Sequence, residues 1–199
     1  MTYRDTGQTE HIYLVQEPAK LPAHPPLLIY MHGAGGQEEQ GMDLDWASKT
    51  FRRLRTLLWE RDWVYVCPRD AEFADLTKVL REKYRPASIT LAGASAGGRA
   101  ALAEAGRAPQ NYAGLILLCP AIRVPGDITK LAMPVWIQSA TGDQPIHANT
   151  RQLVRGLERA KKRYRFIEHP GGGHDTPVRE ADWENALRFL HETGAGKPP

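Results

Sequence analysis

The chain has 199 residues, 42% apolar and 25% charged, with a formal net charge of +3. That length supports one sizeable core and is short for two, and the make-up is that of a soluble globular protein. No apolar stretch approaches the roughly 20 residues of a membrane helix, residues 1–10 carry no apolar leader, and Cys67 and Cys119 each close an apolar run before a proline, as buried reduced thiols of a cytoplasmic protein do.

In chain order, residues 2–5 and 9–16 read as an antiparallel edge, followed by a proline-rich link over 17–26. From Leu27 onward short apolar runs alternate with amphipathic segments, which is the pattern of βα units and a mostly parallel sheet. Strands are predicted near 27–31, 63–67, 88–92, 115–119, 135–139 and 165–168, and helices over 46–61, 74–84, 96–108, 149–163 and 179–192. Between Cys119 and Val135, the residues Pro120, Pro125, Gly126 and Pro134 leave little room for an inserted cap, so a fairly open cleft is expected. Residues 1–193 read as a single domain; the tail 194–199 has nothing to bury and is expected to fray. The basic clusters Arg52, Arg53, Arg55 and Arg159, Lys161, Lys162, Arg163, Arg165 lie at helix ends without interleaved aromatics. They read as solvated faces, not a nucleic-acid surface.

Gly93-Ala94-Ser95-Ala96-Gly97 stands between the fourth of these strands, counting from residue 9, and an alanine-rich helix. Random placement of this composition gives on the order of 0.03 such matches. The flanking glycines permit an abrupt strand-to-helix turn that lifts the Ser95 hydroxyl above the sheet with a helix N-terminus behind it. Ligands of an open parallel sheet bind at the carboxyl ends of its strands, and the other motifs cluster there. His32-Gly33-Ala34-Gly35-Gly36 follows the 27–31 strand; a loop so poor in side chains brings backbone N–H groups to a developing oxyanion. Ala34 is assigned as one donor, with Gly33 or Gly35 as alternatives and His32 holding the loop in shape. Ala96, the residue after the serine, is the second donor.

A serine hydroxyl needs a base, and His174, in the glycine-rich loop after the last predicted strand, has the freedom to reach across the sheet top. His169, at the strand end, is the rival and reads as structural. Asp143, after the 135–139 strand, is the carboxylate that orients the imidazole, giving the order Ser, Asp, His; Asp127 is the runner-up. Met42, Trp46, Phe73, Pro145 and Ile146 fall on the same rim as possible pocket residues, the plainer reading of each being local packing. The acidic group Glu38, Glu39, Asp43 and Asp45 reads as solvation of a flexible loop.

On the H-G-A-G-G loop at 32–36, the G-A-S-A-G elbow at 93–97, Gly142-Asp143 and Gly173-His174, the chain resembles the α/β-hydrolase family over residues 27–190, specifically its small cap-less serine esterases, the dienelactone-hydrolase-like and phospholipase/carboxylesterase-like groups. The resemblance implies an α/β fold with a mostly parallel central sheet of about eight strands flanked by helices, no large cap domain, and a Ser-His-Asp triad without metal or organic cofactor. Two departures stand out: Ala140 replaces a glycine frequent in relatives, and the helix expected after Cys119 is largely missing.

The expected activity is hydrolysis of a short or medium, neutral, small-molecule ester through an acyl-enzyme on Ser95, with no nucleic-acid or membrane partner. Thioesterase, peptidase and acyltransferase chemistry use the same triad and remain alternatives. A dinucleotide-binding oxidoreductase is a weaker rival, since Gly93 to Gly98 fails G-x-G-x-x-G and lies in mid-chain; a non-catalytic binding protein of hydrolase fold is another.

Overall fold

The computed structural model describes residues 1–43, 48–70, 72–123 and 128–194. Five apolar runs form strands in which every residue is buried: β3 (Leu27–Met31), β4 (Val64–Pro68), β5 (Ile89–Ala94), β6 (Gly114–Leu118) and β7 (Val135–Ala140). Continuous burial is what a parallel strand covered by helices on both faces requires. β1 (Thr2–Arg4) and β2 (Glu10–Gln16) form one margin and β8 (Tyr164–His169), half-buried, the other. The sheet has eight strands in the order β1-β2-β4-β3-β5-β6-β7-β8, with antiparallel pairing for β1 with β2 and for β2 with β4, and parallel pairing elsewhere.

Helices α1 (Gln40–Asp43), α2 (Ser48–Glu60), α3 (Phe73–Tyr84), α4 (Ala96–Arg107), α5 (Ile146–Arg159), α6 (Thr176–Arg179) and α7 (Trp183–Gly194) complete the chain. The period of two along each strand divides the core into two layers. Leu27, Ile29, Val64, Val66, Leu91, Leu117 and Ile137 pack with α3, α4 and α5 on one face. Leu28, Tyr30, Tyr65, Ala92, Ile116 and Trp136 pack with α2 and α7 on the other, where Tyr30, Phe51 and Trp183 meet edge-on or tilted.

The eight strands and the antiparallel margin match expectation; two of the predicted helices do not match in extent. α5 starts at Ile146 because the turn before it already feeds helical bonds, His147 N–H to Asp143 O at 2.7 Å and Asn149 N–H to Pro145 O at 3.1 Å. It stops at Arg159, where Lys161 turns to φ 51 and the Lys162 N–H closes on Leu157 O. The segment expected as one helix over 179–192 breaks into α6 and α7 at Asp182, whose carboxylate caps the new helix by accepting from Asn185 N–H at 3.2 Å. In the loop after β3 the short α1 was not foreseen, and residues 44–47 lie outside the described residues. Gly194 ends α7 instead of opening a tail, and 195–199 lie outside the described residues.

Among the described residues, the link from β6 to β7 holds no strand or α-helix, only the 3-10 turn Ile128–Lys130. No helix among them is long and apolar enough to cross a membrane. Cys67 and Cys119 are free and buried, and burial pushes both thiols up to about 12.

The β1–β2 margin is tied to the exit of β4 by a buried imidazole. His11 lies 3.0 Å from Asp5 through Nε2 and 3.0 Å from Asp70 through Nδ1, and stacks on Tyr3 with centroids 5.1 Å apart. The hydrogen bond to Asp5, then that to Asp70, raises the His11 pKa above its ordinary 6.5, while the same His11 bond holds Asp5 low. A raised imidazole contributes stability that is complete below the unfolded-state value and is lost as pH climbs through the folded one. Urea midpoints of the native protein are therefore expected to fall as pH rises above the ordinary imidazole value of 6.5, and those of a His11→Gln variant to lose that part of the slope; parallel slopes in the two proteins contradict this role.

Candidate active site

β5 sits between β3 and β6 in the sheet, so the loops leaving these strands crowd together at one end. At the exit of β5, Ser95 adopts φ 53 and ψ −117, a strained conformation for a residue with a Cβ. It is held there from several sides: its N–H donates to Leu118 O at 2.9 Å, and its carbonyl accepts from Arg99 N–H at 3.0 Å and Ala121 N–H at 2.9 Å. The glycines at 93 and 97 are steric necessities. A Cβ on Gly97 would stand 2.3 Å from the carbonyl oxygens of both Met31 and His32, and one on Gly93 would stand 2.5 Å from the Gly97 carbonyl group.

The loop after β3 packs directly on this elbow. A Cβ on Gly33 would lie 3.3 Å from Ser95 Cβ and 3.9 Å from its Oγ. Gly36 N–H closes a turn on Gly33 O at 3.1 Å, with Gly35 at φ 74. Ala34 is exposed at its tip, and its N–H has no hydrogen-bond partner among the described residues. Ala96 opens α4, whose first helical bond is the one from Arg99, leaving the Ala96 amide outside the helical ladder. His32 braces the loop: Nδ1 lies 2.8 Å from Gly33 O and Nε2 2.9 Å from Arg69 O.

Glu38 corrects the reading of the acidic group as solvation. It is 2% exposed and grips the Arg69 guanidinium at 2.7 and 2.5 Å; that bond to Arg69 holds its carboxyl below the usual range. Arg69 thus fixes the loop twice, through its side chain on Glu38 and its carbonyl on His32. The one available sign was a carboxylate inside a segment otherwise rich in glycine.

Across the sheet, His174 Nδ1 lies 2.6 Å from Asp143 Oδ2, with the carboxylate 10% and the ring 46% exposed. The turns carrying them are clasped together. Thr141 N–H donates to His169 O at 3.0 Å, Gly171 N–H to Thr141 Oγ1 at 2.7 Å, and Gly142 N–H to Gly172 O at 3.1 Å. Sequence reasoning missed Thr141, whose only signal is its position between the strand and Gly142. Cys119, at φ 39 on the exit of β6, is buried; burial dominates the rise of its thiol, the Ser95 backbone opposes it, and the charges of Asp143 and Asp175 add to it.

The structure therefore pairs Asp143 with His174 and packs Ser95 against Gly33, whereas no hydrogen bond joins Ser95 Oγ to the His174 ring among the described residues. His169 is engaged elsewhere, 3.2 Å from Glu180 through Nδ1 and 3.3 Å from the Gln138 amide through Nε2. Met42 and Phe73, possible pocket residues whose plainer reading was local packing, are core side chains, Met42 with Tyr30 and Phe51 and Phe73 with Leu76. Ile146 is half-buried against the Trp136 layer and Pro145 is exposed. Trp46 and Asp127 lie outside the described residues. No group of three or more His, Cys, Asp and Glu among the described residues is arranged to hold a metal ion.

No protein-family model matches the chain, and no curated protein matches it in sequence. Its shape does match solved structures. An S-formylglutathione hydrolase from Staphylococcus aureus aligns over 96% of this chain and 94% of its own with a TM-score of 0.74 at 13% identity. A ferulic acid esterase from Anaeromyces mucronatus aligns over 94% and 88% with a TM-score of 0.74 at 15% identity. An S-formylglutathione hydrolase from Agrobacterium tumefaciens aligns over 97% and 94% with a TM-score of 0.73 at 12% identity. The fold is that of the α/β-hydrolases, as the resemblance implied.

The clasp has a steric consequence. A Cβ on Gly142 would stand 2.7 Å from Gly171 O and 2.8 Å from Gly172 O, so Gly142→Ala must part the two turns, whereas a Cβ on Gly106 in α4 meets nothing within 4 Å. Gly142→Ala is expected to destabilise the protein by about 1–3 kcal/mol and Gly106→Ala to stabilise it by about 0.4–1 kcal/mol. Thermal melts of the two variants beside the native protein check both signs.

Proposed function

We propose that this chain is a serine hydrolase that cleaves carboxylic esters of small molecules through an acyl-enzyme on Ser95. The observation that carries the reading is the 2.6 Å Asp143–His174 pair, standing at the same strand ends as the strained Ser95 elbow. Solved structures of the same fold that bear the names ferulic acid esterase and S-formylglutathione hydrolase favour it further.

In this reading His174 Nε2 takes the Ser95 Oγ proton as the oxygen attacks the substrate carbonyl. Hydroxyl and ring come into hydrogen-bond distance as the substrate seats, since such bonds are commonly long in free enzymes. The ring donates Nδ1–H to Asp143, which fixes the tautomer and steadies the imidazolium while remaining ionised. Charge gathering on the carbonyl oxygen is met by the N–H groups of Ala34 and Ala96. The imidazolium then gives its proton to the departing alcohol, and a water activated by the same ring releases the acid and restores Ser95.

The short β6–β7 link and the small side chains of the 33–36 loop fit a compact acyl group better than a long lipid chain. No extended apolar lid stands over this end among the described residues. The buried, unpaired thiols suit a reducing compartment, which makes the cytoplasm the proposed setting.

Hydrolysis of p-nitrophenyl butyrate and labelling by a fluorophosphonate are both expected to vanish in Ser95→Ala, and turnover to fall about 10⁴-fold in Asp143→Asn. Full activity in Ser95→Ala refutes the proposal. Across acyl esters of increasing length, rates are expected to decline beyond medium chains, with thioester and amide substrates assayed in parallel to fix the bond preferred.

A further inference from the structure

β7 and β8 run parallel with Ser139 opposite Glu168. Val135 and Ile137 precede Ser139 at intervals of two and face the α5 layer of the core, so Ser139 continues the same column. It is wholly buried, and a hydroxyl in such a position is costly unless bonded. The partner comes from the first turn of α5. His147, 6% exposed, places Nδ1 at 2.9 Å from Ser139 Oγ and Nε2 at 3.2 Å from Glu168 Oε1, and its ring stacks over Phe166. Arg151, one turn further along α5, holds the same Glu168 oxygen at 3.0 Å. A carboxylate only accepts, so one tautomer satisfies every partner: Nε2–H donates to Glu168, and the Ser139 hydroxyl donates to Nδ1.

This line has the groups of a catalytic triad, yet its serine is sealed from solvent and no substrate reaches it. Its place in the chain gives it another role. Ser139 and His147 are the two ends of the turn that carries Asp143, and the His147 N–H also donates to Asp143 O at 2.7 Å. The ring therefore bolts the base of that turn to two strands, while Thr141 and Gly142 clasp its tip to the His174 turn.

We propose that His147 is a positioning residue for Asp143, holding the carboxylate at its short distance from His174 through directional bonds to Ser139 and Glu168. An apolar side chain would fill the same space without fixing the direction of the turn. The catalytic consequence depends on the function proposed above; the positional claim does not. A displacement of about 1 Å in a catalytic group costs up to about 10²-fold in rate.

The test uses His147→Gln and, at the accessible end of the line, Glu168→Ala, each checked by circular dichroism and melting. Glu168→Ala decides the matter if His147→Gln does not fold. A low-field proton resonance of His174 Nδ1–H is expected in the native protein, from the 2.6 Å contact with Asp143, and is expected to broaden or vanish in both variants; an unchanged resonance overturns the proposal whatever the activity. In turnover, each variant is expected to lose about ten- to a hundredfold in kcat with KM within twofold. Combined with Asp143→Asn, each is expected to cost nothing more, because the group being positioned is already disabled. Equal losses with and without Asp143→Asn also overturn it. Retained hydrolysis in Ser95→Ala would remove the proposed function, and the resonance would still decide the position of the turn.

Discussion

The approach of the β5–α4 elbow to the backbone leaving β3 is the constraint on which the rest of this end of the molecule depends. With no Cβ at Gly97, the start of α4 lies against the carbonyls of Met31 and His32, and with none at Gly33 the following loop lies against Ser95. Any side chain at Gly97 would drive the central strand exits apart. The proximity costs strain, paid at Ser95 with its positive φ, and is maintained by hydrogen bonds from β6 and the segment after it. The loop after β3 and the start of α4 consequently lie beside one hydroxyl.

Around this centre the supports are polar and directional, not merely apolar. On the β3 side a continuous series of contacts runs from Asp5 and His11 to Asp70, through the adjoining Arg69 to Glu38 and His32, and ends at Gly33 O. On the β7 side, Ser139, His147 and Glu168 brace one end of the Asp143 turn and Thr141 the other. Apolar packing alone fixes volume; hydrogen bonds also fix orientation, and a site that relies on a 2.6 Å contact needs both. The two core layers carry the bulk of the stability and hold the strands whose ends present these groups.

The central strands were legible because apolar runs of five or six residues between amphipathic segments have few other ways to bury themselves. Ser95, Asp143 and His174 were singled out by the same logic, each in the segment that follows a strand and each within two residues of a glycine. Met42 and Phe73 stayed open between pocket and core because an apolar residue after a strand reads alike whether it faces a cleft or the core. Glu38 misled because a carboxylate near glycines reads as solvated until the arginine 31 positions away is seen to reach it.

Local pattern, then, determined the α/β architecture, the antiparallel margin and the glycine-bounded turns, since these follow from periodicity and from steric limits acting over a few residues. Tertiary structure alone decided which distant groups meet: Arg69 with Glu38, Thr141 with Gly171, His147 between Ser139 and Glu168. Such pairings are set by strand order and register, and a hydrogen bond across 20 or 30 positions leaves no periodic trace in the chain that forms it.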